Sequence, residues 1–191
     1  MTYWQTERLT LRRLQPDDAE FFYALNQDHE ADGFLDHVQL PDTLVNVQKW
    51  AEKTATEKFE DDRYFFVMVA RDLPGDVRVG ALDTHSLYRR AGTFKYGLIV
   101  HQDYRRRGYA SDAIRLVLRY YFDELAYQTC HVDVHENNPA SAALHEHLGF
   151  TLEGRIRRTV YTGGQYLDEW VYGITAEEFR AAHGQHFGQG F

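Results

Sequence analysis

Residues 110–126 carry the feature that most restricts the fold, an apolar stripe that repeats at helical spacing. The stripe consists of Ala110, Ala113, Ile114, Val117, Leu118, Tyr121, Phe122 and Leu125. Spacings of three and four residues place these side chains on one face of a helix. The apolar segment 93–100 precedes it and is typical of a β-strand. The chain is therefore expected to contain a strand–loop–helix unit.

Similar patterns predict strands and helices along the rest of the chain. Strands are predicted at 8–14, 64–70, 77–88, 93–100 and 129–135, helices at 16–27, 41–59, 110–126 and 138–150, and a hairpin at 155–174. Gly163-Gly164 is the expected hairpin turn. The expected fold class is α/β, a single domain in which a mixed, mostly antiparallel sheet of about seven strands carries helices on both faces.

Length and composition limit the classes of protein that remain. A chain of 191 residues without a repeat or linker fits one domain, expected at 1–180, followed by a flexible Gly-, Gln- and His-rich tail at 181–191. The single cysteine excludes an internal disulfide and, without an apolar leader, favours the cytoplasm. No segment approaches the roughly 20 apolar residues that span a bilayer. A net charge of −8 argues against a nucleic-acid partner.

Residues 105–107 form the densest positive cluster of this acidic chain, at the entrance of the predicted helix 110–126. A helix N-terminus exposes unpaired N–H groups and a partial positive charge, and therefore attracts anions. Gly108 allows the backbone to approach a ligand closely, and Ala110 keeps the first turn small. The cluster predicts a pyrophosphate cradle. A solvated loop whose arginines pair with surface acids is the alternative, because short glycine motifs often match by chance.

Three stretches of the sequence resemble a known family. R-R-R-G-Y-A at 105–110 fits the R/Q-x-x-G-x-G/A signature of the GNAT superfamily, the acetyl-CoA-dependent N-acetyltransferases. T-E-R-L-T-L-R-R-L at 6–14 resembles the opening of the branch that acetylates ribosomal-protein N-termini. The segments 136–158 and 164–174 are similar to later parts of that branch, in the same order. The chain is identified as a member of this superfamily.

The resemblance implies that acetyl-CoA binds at the 105–111 loop and enters between strands 93–100 and 129–135, which splay apart in the family. The residues implied to bind it are Leu98, Ile99 and Val100 along the pantetheine arm, Arg105, Arg106, Arg107, Gly108, Tyr109, Ala110 and Ser111 around the pyrophosphate, and Asn138 and Ser141 near the thioester. The backbone N–H of Val100 is expected to stabilise the thioester oxygen. Asn138 also suits a plain helix cap.

Acetyl transfer needs a proton donor for the departing thiolate. Many GNAT enzymes carry a tyrosine four residues before the glycine of L-G-F, where this chain has His145. Ser141 lies four residues earlier on the same helix face, and a serine there is a proposed donor in the ribosomal-type branch. We expect His145, partly protonated near neutral pH, and Ser141 to be the donor candidates. Structural roles in packing are the alternatives for both.

The amine must also lose a proton, and three residues are candidate general bases. Asp83 and His85 lie on the predicted strand 77–88, and Glu136 follows the strand 129–135. Each could act through a water, or could be ordinary solvated surface. Tyr96, Tyr161, Tyr166 and Trp170 are expected either to line an acceptor pocket or to lie in the core. The ten histidines show no closed metal-ligand spacing, so no metal is predicted.

The predicted function is transfer of an acetyl group from acetyl-CoA to a primary amine of a peptide N-terminus or a small polar amine. A polyamine or aminoglycoside N-acetyltransferase is one alternative, and a catalytically weak sensor that binds acetyl-CoA is another. The sequence leaves the acceptor open. A homodimer is expected, formed through an exposed strand edge or the C-terminal hairpin. No membrane partner is expected.

Overall fold

The computed structural model describes residues 2–27, 40–58 and 61–184, and their elements follow the predicted order. The strands are β1 Leu9–Arg13, β2 Phe65–Ala70, β3 Val77–Tyr88, β4 Thr93–Val100, β5 Thr129–His135, β6 Thr151–Thr162 and β7 Gln165–Thr175. The helices are α1 Ala19–Leu25, α2 Leu44–Thr56, α3 Tyr109–Arg119, α4 Pro139–His147 and α5 Ala176–His183. Short 3-10 turns lie at Pro16–Asp18 and Gln102–Tyr104, and a π-helical turn at Tyr120–Glu124 extends α3.

The strands are ordered β1-β2-β3-β4-β5-β7-β6. Strand β4 pairs parallel with β5, whereas β1–β2, β2–β3, β5–β7 and β6–β7 pair antiparallel. The parallel register joins Thr93–Lys95 to Thr129–His131, although both strands continue beyond it. The predicted mixed, mostly antiparallel sheet is confirmed.

Contacts between Cα atoms divide the chain into two units. The first comprises residues 1–85 and 97–116, and the second comprises 86–96 and 117–191. In the first unit, α1 and α2 bury apolar side chains with residues of β2 and β3, among them Phe22, Leu25, Val47, Ala51, Val67 and Ala81. Asp18, fully buried before α1, receives hydrogen bonds from Arg12 and Arg78, with N–O distances of 2.7 to 2.9 Å. The charge of Asp18 is thereby compensated where water cannot reach it.

Aromatic packing dominates the core of the second unit. The rings of Phe94 and Tyr121 stack with their centroids 4.0 Å apart, and Phe122 and Tyr127 pack edge-on against Phe94. Tyr121 and Phe122 belong to the apolar stripe that predicted the helix, and both are buried. The stripe therefore forms the buried face that its spacing predicted.

Several details differ from the sequence-based boundaries. Strand β6 begins at Thr151, earlier than the predicted hairpin, and α5 continues to His183, inside the predicted tail. His183 contacts the carbonyl oxygen of Leu148 at 2.8 Å through Nε2. The remainder of the tail, 185–191, lies outside the described residues, so its flexibility and the 1–180 domain boundary stay predictions.

Burial decides between the alternatives for the strand tyrosines. Tyr161 and Tyr166 are each 59% exposed on the β6–β7 hairpin, so the core alternative is wrong for both, and the pocket alternative stays a prediction. Tyr96 is buried, as its core alternative expected. Within the described part of the chain, no helix is long and apolar enough to cross a bilayer.

Candidate functional site

The loop between β4 and α3 has the backbone shape of an anion cradle. Arg106 and Gly108 have φ angles of 64° and 87°, so left-handed residues lie on both sides of Arg107. Alternation of left-handed and right-handed residues is a backbone conformation in which successive N–H groups can form an anion-binding concavity. Arg105 Nε donates to the carbonyl oxygen of Val100 at 3.1 Å, which fixes the start of the loop against the end of β4. The shape of this loop fits a pyrophosphate.

Gly108 is required for two reasons in the structure. Its positive φ is strained for residues with a side chain. A Cβ atom there would also lie 2.9 Å from Arg8 Nη1 and 3.0 Å from Arg8 Cζ. The sequence indicates only the first use of this glycine, close approach of a ligand. The structure adds a second neighbour, a guanidinium from the segment before β1, which no spacing in the sequence indicated.

Arg8 is held by a carboxylate in the first turn of α3. Its Nη2 lies 3.1 Å from Asp112 Oδ1, and its Nε lies 3.3 Å from Asp112 Oδ2. The Thr6 hydroxyl donates to Asp112 Oδ2 at 2.8 Å. Sequence reasoning missed Arg8 and Asp112, because residues about a hundred positions apart give no local signal of contact.

The predicted pyrophosphate residues occupy different environments. Arg106 and Arg107 are exposed, and Arg107 lies over the Tyr104 ring at 5.7 Å from its centroid. Tyr109 is buried and donates a 2.6 Å hydrogen bond to Asp72. Burial, followed by that bond, raises the pKa of Tyr109 to about 12. The Tyr109 side chain therefore anchors α3, and only its backbone is suited to a ligand. Ala110 and Ser111 are half-buried in the first turn.

The end of β4 offers backbone where the pantetheine arm is predicted. Leu98, Ile99 and Val100 are half-buried and lie beyond the β4–β5 register. On the β3 side, a Cβ at Gly80 would overlap the carbonyl oxygen of Ile99, so the two strands approach closely. Together with the cradle, this strand end supplies backbone groups and cations of the kind that a pantetheine diphosphate needs. The residues present therefore fit acetyl-CoA.

Asp83 projects from β3 over β4 at a glycine. A Cβ atom at Gly97 would lie 2.8 Å from Asp83 Oδ1, so the missing side chain makes room for the carboxylate. Asp83 and His85 share one face of β3, and the buried Thr84 points to the other. Burial raises the pKa of Asp83, although the charges of His85 and Arg63 oppose the change. A carboxylate with a raised pKa beside the predicted cofactor strand is suited to exchange a proton.

Glu136, the third predicted base, is bonded through both carboxylate oxygens. Oε1 accepts from the backbone N–H of Asp168 at 2.9 Å, and Oε2 accepts from Arg155 Nη2 at 3.3 Å. Asp168 also accepts from Arg155 Nε at 2.6 Å. These bonds connect the end of β5 to the β6–β7 hairpin and give Glu136 a structural role. Its use as a base would require breaking them.

Helix α4 begins at the predicted asparagine cap. Asn138 Oδ1 accepts a 3.0 Å hydrogen bond from the backbone N–H of Ser141, so its capping role is confirmed. Ser141 is half-buried, and its Oγ lies 3.4 Å from His145 Nδ1. The spacing therefore brings Ser141 and His145 together as the sequence predicted. The part of Asn138 in binding acetyl-CoA stays a prediction.

His145 lies between two oxygens that fix its tautomer. Nδ1 is 2.8 Å from the carbonyl oxygen of Ser141, and Nε2 is 2.8 Å from Tyr96 Oη. A carbonyl only accepts, so the proton must be on Nδ1. Nε2 then carries a lone pair and accepts from the Tyr96 hydroxyl. The sequence predicts Tyr96 in a pocket or in the core, and only tertiary packing gives it His145 on α4 as its partner.

The protonation state expected for His145 from the sequence is wrong. His145 is only 6% exposed, and burial lowers its pKa to about 4, although the bond to the Ser141 carbonyl opposes the shift. At neutral pH the imidazole is therefore uncharged. Burial also raises the pKa of Tyr96 well above its usual value. The pair is a neutral phenol bonded to a neutral imidazole, and it has no imidazolium proton to give.

Histidine and carboxylate side chains elsewhere form pairs. His131 Nε2 lies 3.2 Å from Glu153 Oε2, and Asp133 pairs with Lys95. Over residues 2–27, 40–58 and 61–184, no group of three or more His, Cys, Asp or Glu side chains is arranged to hold a metal ion.

Comparisons with known proteins agree with this architecture. The profile described as acetyltransferase (GNAT) domain matches residues 8–151. The SPbeta prophage-derived uncharacterized N-acetyltransferase YokL of Bacillus subtilis (strain 168) is 40% identical over 184 residues, 96% of this chain and 99% of YokL. YdaF of the same strain, provisionally named a ribosomal N-acetyltransferase, is 25% identical over 52% of this chain and 55% of its own. The spermidine N-acetyltransferase of Vibrio cholerae, solved in complex with CoA and spermine, matches with a TM-score of 0.78 at 20% identity, covering 91% of this chain and 99% of that one.

Proposed function

The chain belongs to the GNAT family of acetyltransferases, and on that premise we propose that it acetylates the primary amine of a peptide N-terminus or a small polar amine. Acetyl-CoA supplies the activated acetyl group as a thioester when it is bound. The observation that supports the proposal most is the Asp83 carboxylate, which lies over Gly97 beside the predicted cofactor strand.

The coenzyme would be held by the first unit. Backbone N–H groups of 105–111 would bind the pyrophosphate, and the backbone of Leu98 to Val100 would bind the pantetheine arm. The Val100 N–H stays the proposed donor to the thioester oxygen. This assignment is supported by the left-handed φ angles of Arg106 and Gly108.

Asp83 is the proposed general base. An alkylammonium has a pKa near 10.4, so a carboxylate accepts its proton more readily when its own pKa is raised. Burial raises the pKa of Asp83, and Gly97 gives its carboxylate space over β4. The negative charge of Asp83 would also attract a cationic amine. His85 on the same face remains a candidate for relaying the proton, and Glu136 is less suited because both of its oxygens are bonded.

Ser141 is the proposed proton donor to the thiolate, and His145 is proposed to position it. The His145 Nδ1–H bonds to the Ser141 carbonyl, and the Ser141 hydroxyl lies 3.4 Å from the same nitrogen. A neutral imidazole held in one tautomer can fix the first turn of α4 without itself donating a proton. The weak acidity of serine means that its contribution would be a hydrogen bond or a relay through water.

A panel of acceptors tests the reaction. Release of CoA thiol from acetyl-CoA would be measured with N-terminal peptides, amino acids, polyamines and aminoglycosides. We expect turnover with peptide N-termini or small polar amines. A preference for spermidine would support the polyamine alternative, acetylation confined to hydroxyl acceptors would contradict the proposal, and CoA binding without turnover would favour the sensor.

The base is tested by Asp83→Asn in the same assay. A lost general base lowers kcat/KM by about 10²- to 10⁴-fold, while CoA affinity by calorimetry should stay unchanged. Asp123→Asn is the matched control, because Asp123 is an exposed carboxylate bonded to Arg180. Full activity of Asp83→Asn would remove Asp83 from the mechanism and leave His85 as the candidate.

We also propose that the protein is cytoplasmic and forms a homodimer through the hairpin β6–β7. Strand β6 ends the strand order, and the hairpin exposes Leu152, Ile156, Tyr161 and Tyr166. Exposed strand edges with apolar side chains tend to pair. Sedimentation at micromolar concentrations should show a dimer that Ile156→Lys converts to a monomer. A monomeric wild-type mass would contradict the dimer.

A further inference from the structure

Arg8 lies against the proposed pyrophosphate cradle although it belongs to a distant segment. Its guanidinium packs over Gly108, so that a Cβ atom there would meet Nη1 at 2.9 Å and Nη2 and Cζ at 3.0 Å. Gly108 is the residue after Arg107 and the last before α3. The guanidinium therefore lies against the end of the loop, at the start of α3.

Asp112 fixes which side of the guanidinium faces the loop. Asp112 Oδ2 accepts a hydrogen bond from Arg8 Nε at 3.3 Å, and Asp112 Oδ1 accepts one from Arg8 Nη2 at 3.1 Å. Because the guanidinium is planar and its donors are rigidly arranged, this pairing leaves Nη1 on the edge that Asp112 does not occupy, while the flat face of the group lies over Gly108. The backbone of Arg8 is also fixed, since its carbonyl oxygen accepts from the Arg71 N–H at 2.8 Å. Nη1 is thus held beside the loop with two donors oriented in the guanidinium plane, and they need little reordering to bind an anion.

Compensation of the nearly buried Asp112 carboxylate accounts for the ion pair but not for the position of the guanidinium over the loop. The Arg8 side chain is 46% exposed and that of Asp112 only 9%. Ion pairs that open to solvent contribute little to stability. Asp112 Oδ1 also lies 3.7 Å from Arg115 Nη1, so one carboxylate serves two guanidiniums. With the arginines at 105–107 nearby in sequence, the loop keeps an excess of positive charge that an anion would compensate.

We propose that Arg8 is a further phosphate-binding residue of this protein and contacts the pyrophosphate of acetyl-CoA through Nη1, while Asp112 positions it. The proposal rests on the proposed placement of the coenzyme at residues 105–111. It assigns a ligand-binding role to the segment before β1, which the R-x-x-G-x-A signature does not include. Because Gly108 has no side chain, both the Arg8 guanidinium and the pyrophosphate can approach its backbone closely.

Calorimetric titration with CoA and with dephospho-CoA tests the proposal. A hydrogen bond to a charged group contributes about 1.5–3 kcal/mol, so Arg8→Gln should weaken both ligands by about 10- to 150-fold. Arg8→Lys keeps the charge but lacks the planar guanidinium, so its CoA affinity should lie between those of the wild type and Arg8→Gln. Arg180→Gln is the matched control, because Arg180 is 50% exposed and also pairs with a carboxylate, Asp123. It should bind both ligands as the wild type does.

Salt dependence separates a lost charge contact from a damaged loop. Salt screens exposed charges. The difference in CoA affinity between wild type and Arg8→Gln should therefore be smaller at about 0.5 M salt than at about 0.05 M salt. A gap that persists undiminished, or a loss confined to CoA and absent for dephospho-CoA, would overturn the pyrophosphate contact. Equal affinities of wild type and Arg8→Gln would overturn it while leaving the proposed function intact. Failure of the wild type to bind CoA would instead contradict the proposed coenzyme site itself.

Discussion

The two groups of candidate residues handle charge in opposite ways. One group keeps its side chains charged at a partly exposed surface; it consists of Arg8, Asp112 and the 105–108 loop. Each of its cations lies beside an acid or is open to solvent. The Tyr96–His145 pair is buried and neutral. Desolvation explains the difference, because a buried charge without a counter-ion costs more than its hydrogen bonds return. Cations are therefore available for binding an anion, whereas the imidazole is available only as a fixed hydrogen-bonding group.

The largest expected effect tests the charged loop. Gly108→Leu introduces a side chain at a positive φ and into the space of the Arg8 guanidinium, and should weaken CoA binding on the order of 100- to 1000-fold. Calorimetry on the folded variant measures the effect. Gly164→Leu is the control, since Gly164 has a φ of 79° but no atom within 4 Å of its Cβ position. Unaltered CoA affinity in Gly108→Leu would place the coenzyme elsewhere.

The neutrality of His145 predicts a pH-dependent stability. The unfolded imidazole titrates near 6.5 and the folded one at about 4, so between these values the unfolded state binds more protons. The free energy of unfolding should therefore be constant in this respect above pH 6.5 and should decrease by about 3 kcal/mol as the pH falls toward 4. His145→Gln should remove this loss in urea unfolding measured across that range.

His147→Gln is the matched control for this measurement, because His147 is exposed on the same helix. It should keep the wild-type pH dependence. If His145→Gln also kept it, His145 would be charged in the folded protein, and the imidazolium donor would return as a candidate.

Gly97→Ala tests the space that the carboxylate of Asp83 occupies. The new Cβ would lie 2.8 Å from Asp83 Oδ1 and should displace it, lowering kcat/KM by about 10- to 100-fold, less than loss of the base itself. Gly154→Ala, in another strand with no atom within 4 Å of its Cβ position, should be neutral. Undiminished kcat/KM in Gly97→Ala would argue that the position of Asp83 is not critical.

The smallest expected effect concerns the hydroxyl of Tyr96. Tyr96→Phe leaves the buried His145 Nε2 without its donor, which costs about 1–3 kcal/mol of unfolding free energy. If His145 positions Ser141, the kcat of the Tyr96→Phe enzyme should also depend more steeply on temperature than that of the wild type. Thermal and urea unfolding measure the cost. Tyr166→Phe changes an exposed tyrosine and should leave stability unaltered; a similar result for Tyr96→Phe would mean that the hydrogen bond contributes little.

The sequence predicted the parts of the fold that depend on local pattern. The stripe at 110–126 predicted the buried face of α3, Gly163-Gly164 predicted the β6–β7 turn, and Asn138 predicted the start of α4. The motif order predicted the GNAT fold, which the comparisons confirm. These signals lie within one turn, one strand or one motif, so the residues that carry them are neighbours in sequence.

Packing between distant segments decided the rest. Three contacts join residues from different elements: Arg8 with Gly108, Asp83 with Gly97, and Tyr96 with His145. The sequence by itself determined the order of elements, the caps and the family. Only the tertiary structure decided that His145 is neutral and that Gly108 accommodates a guanidinium, because burial and cross-strand proximity depend on the folded chain as a whole.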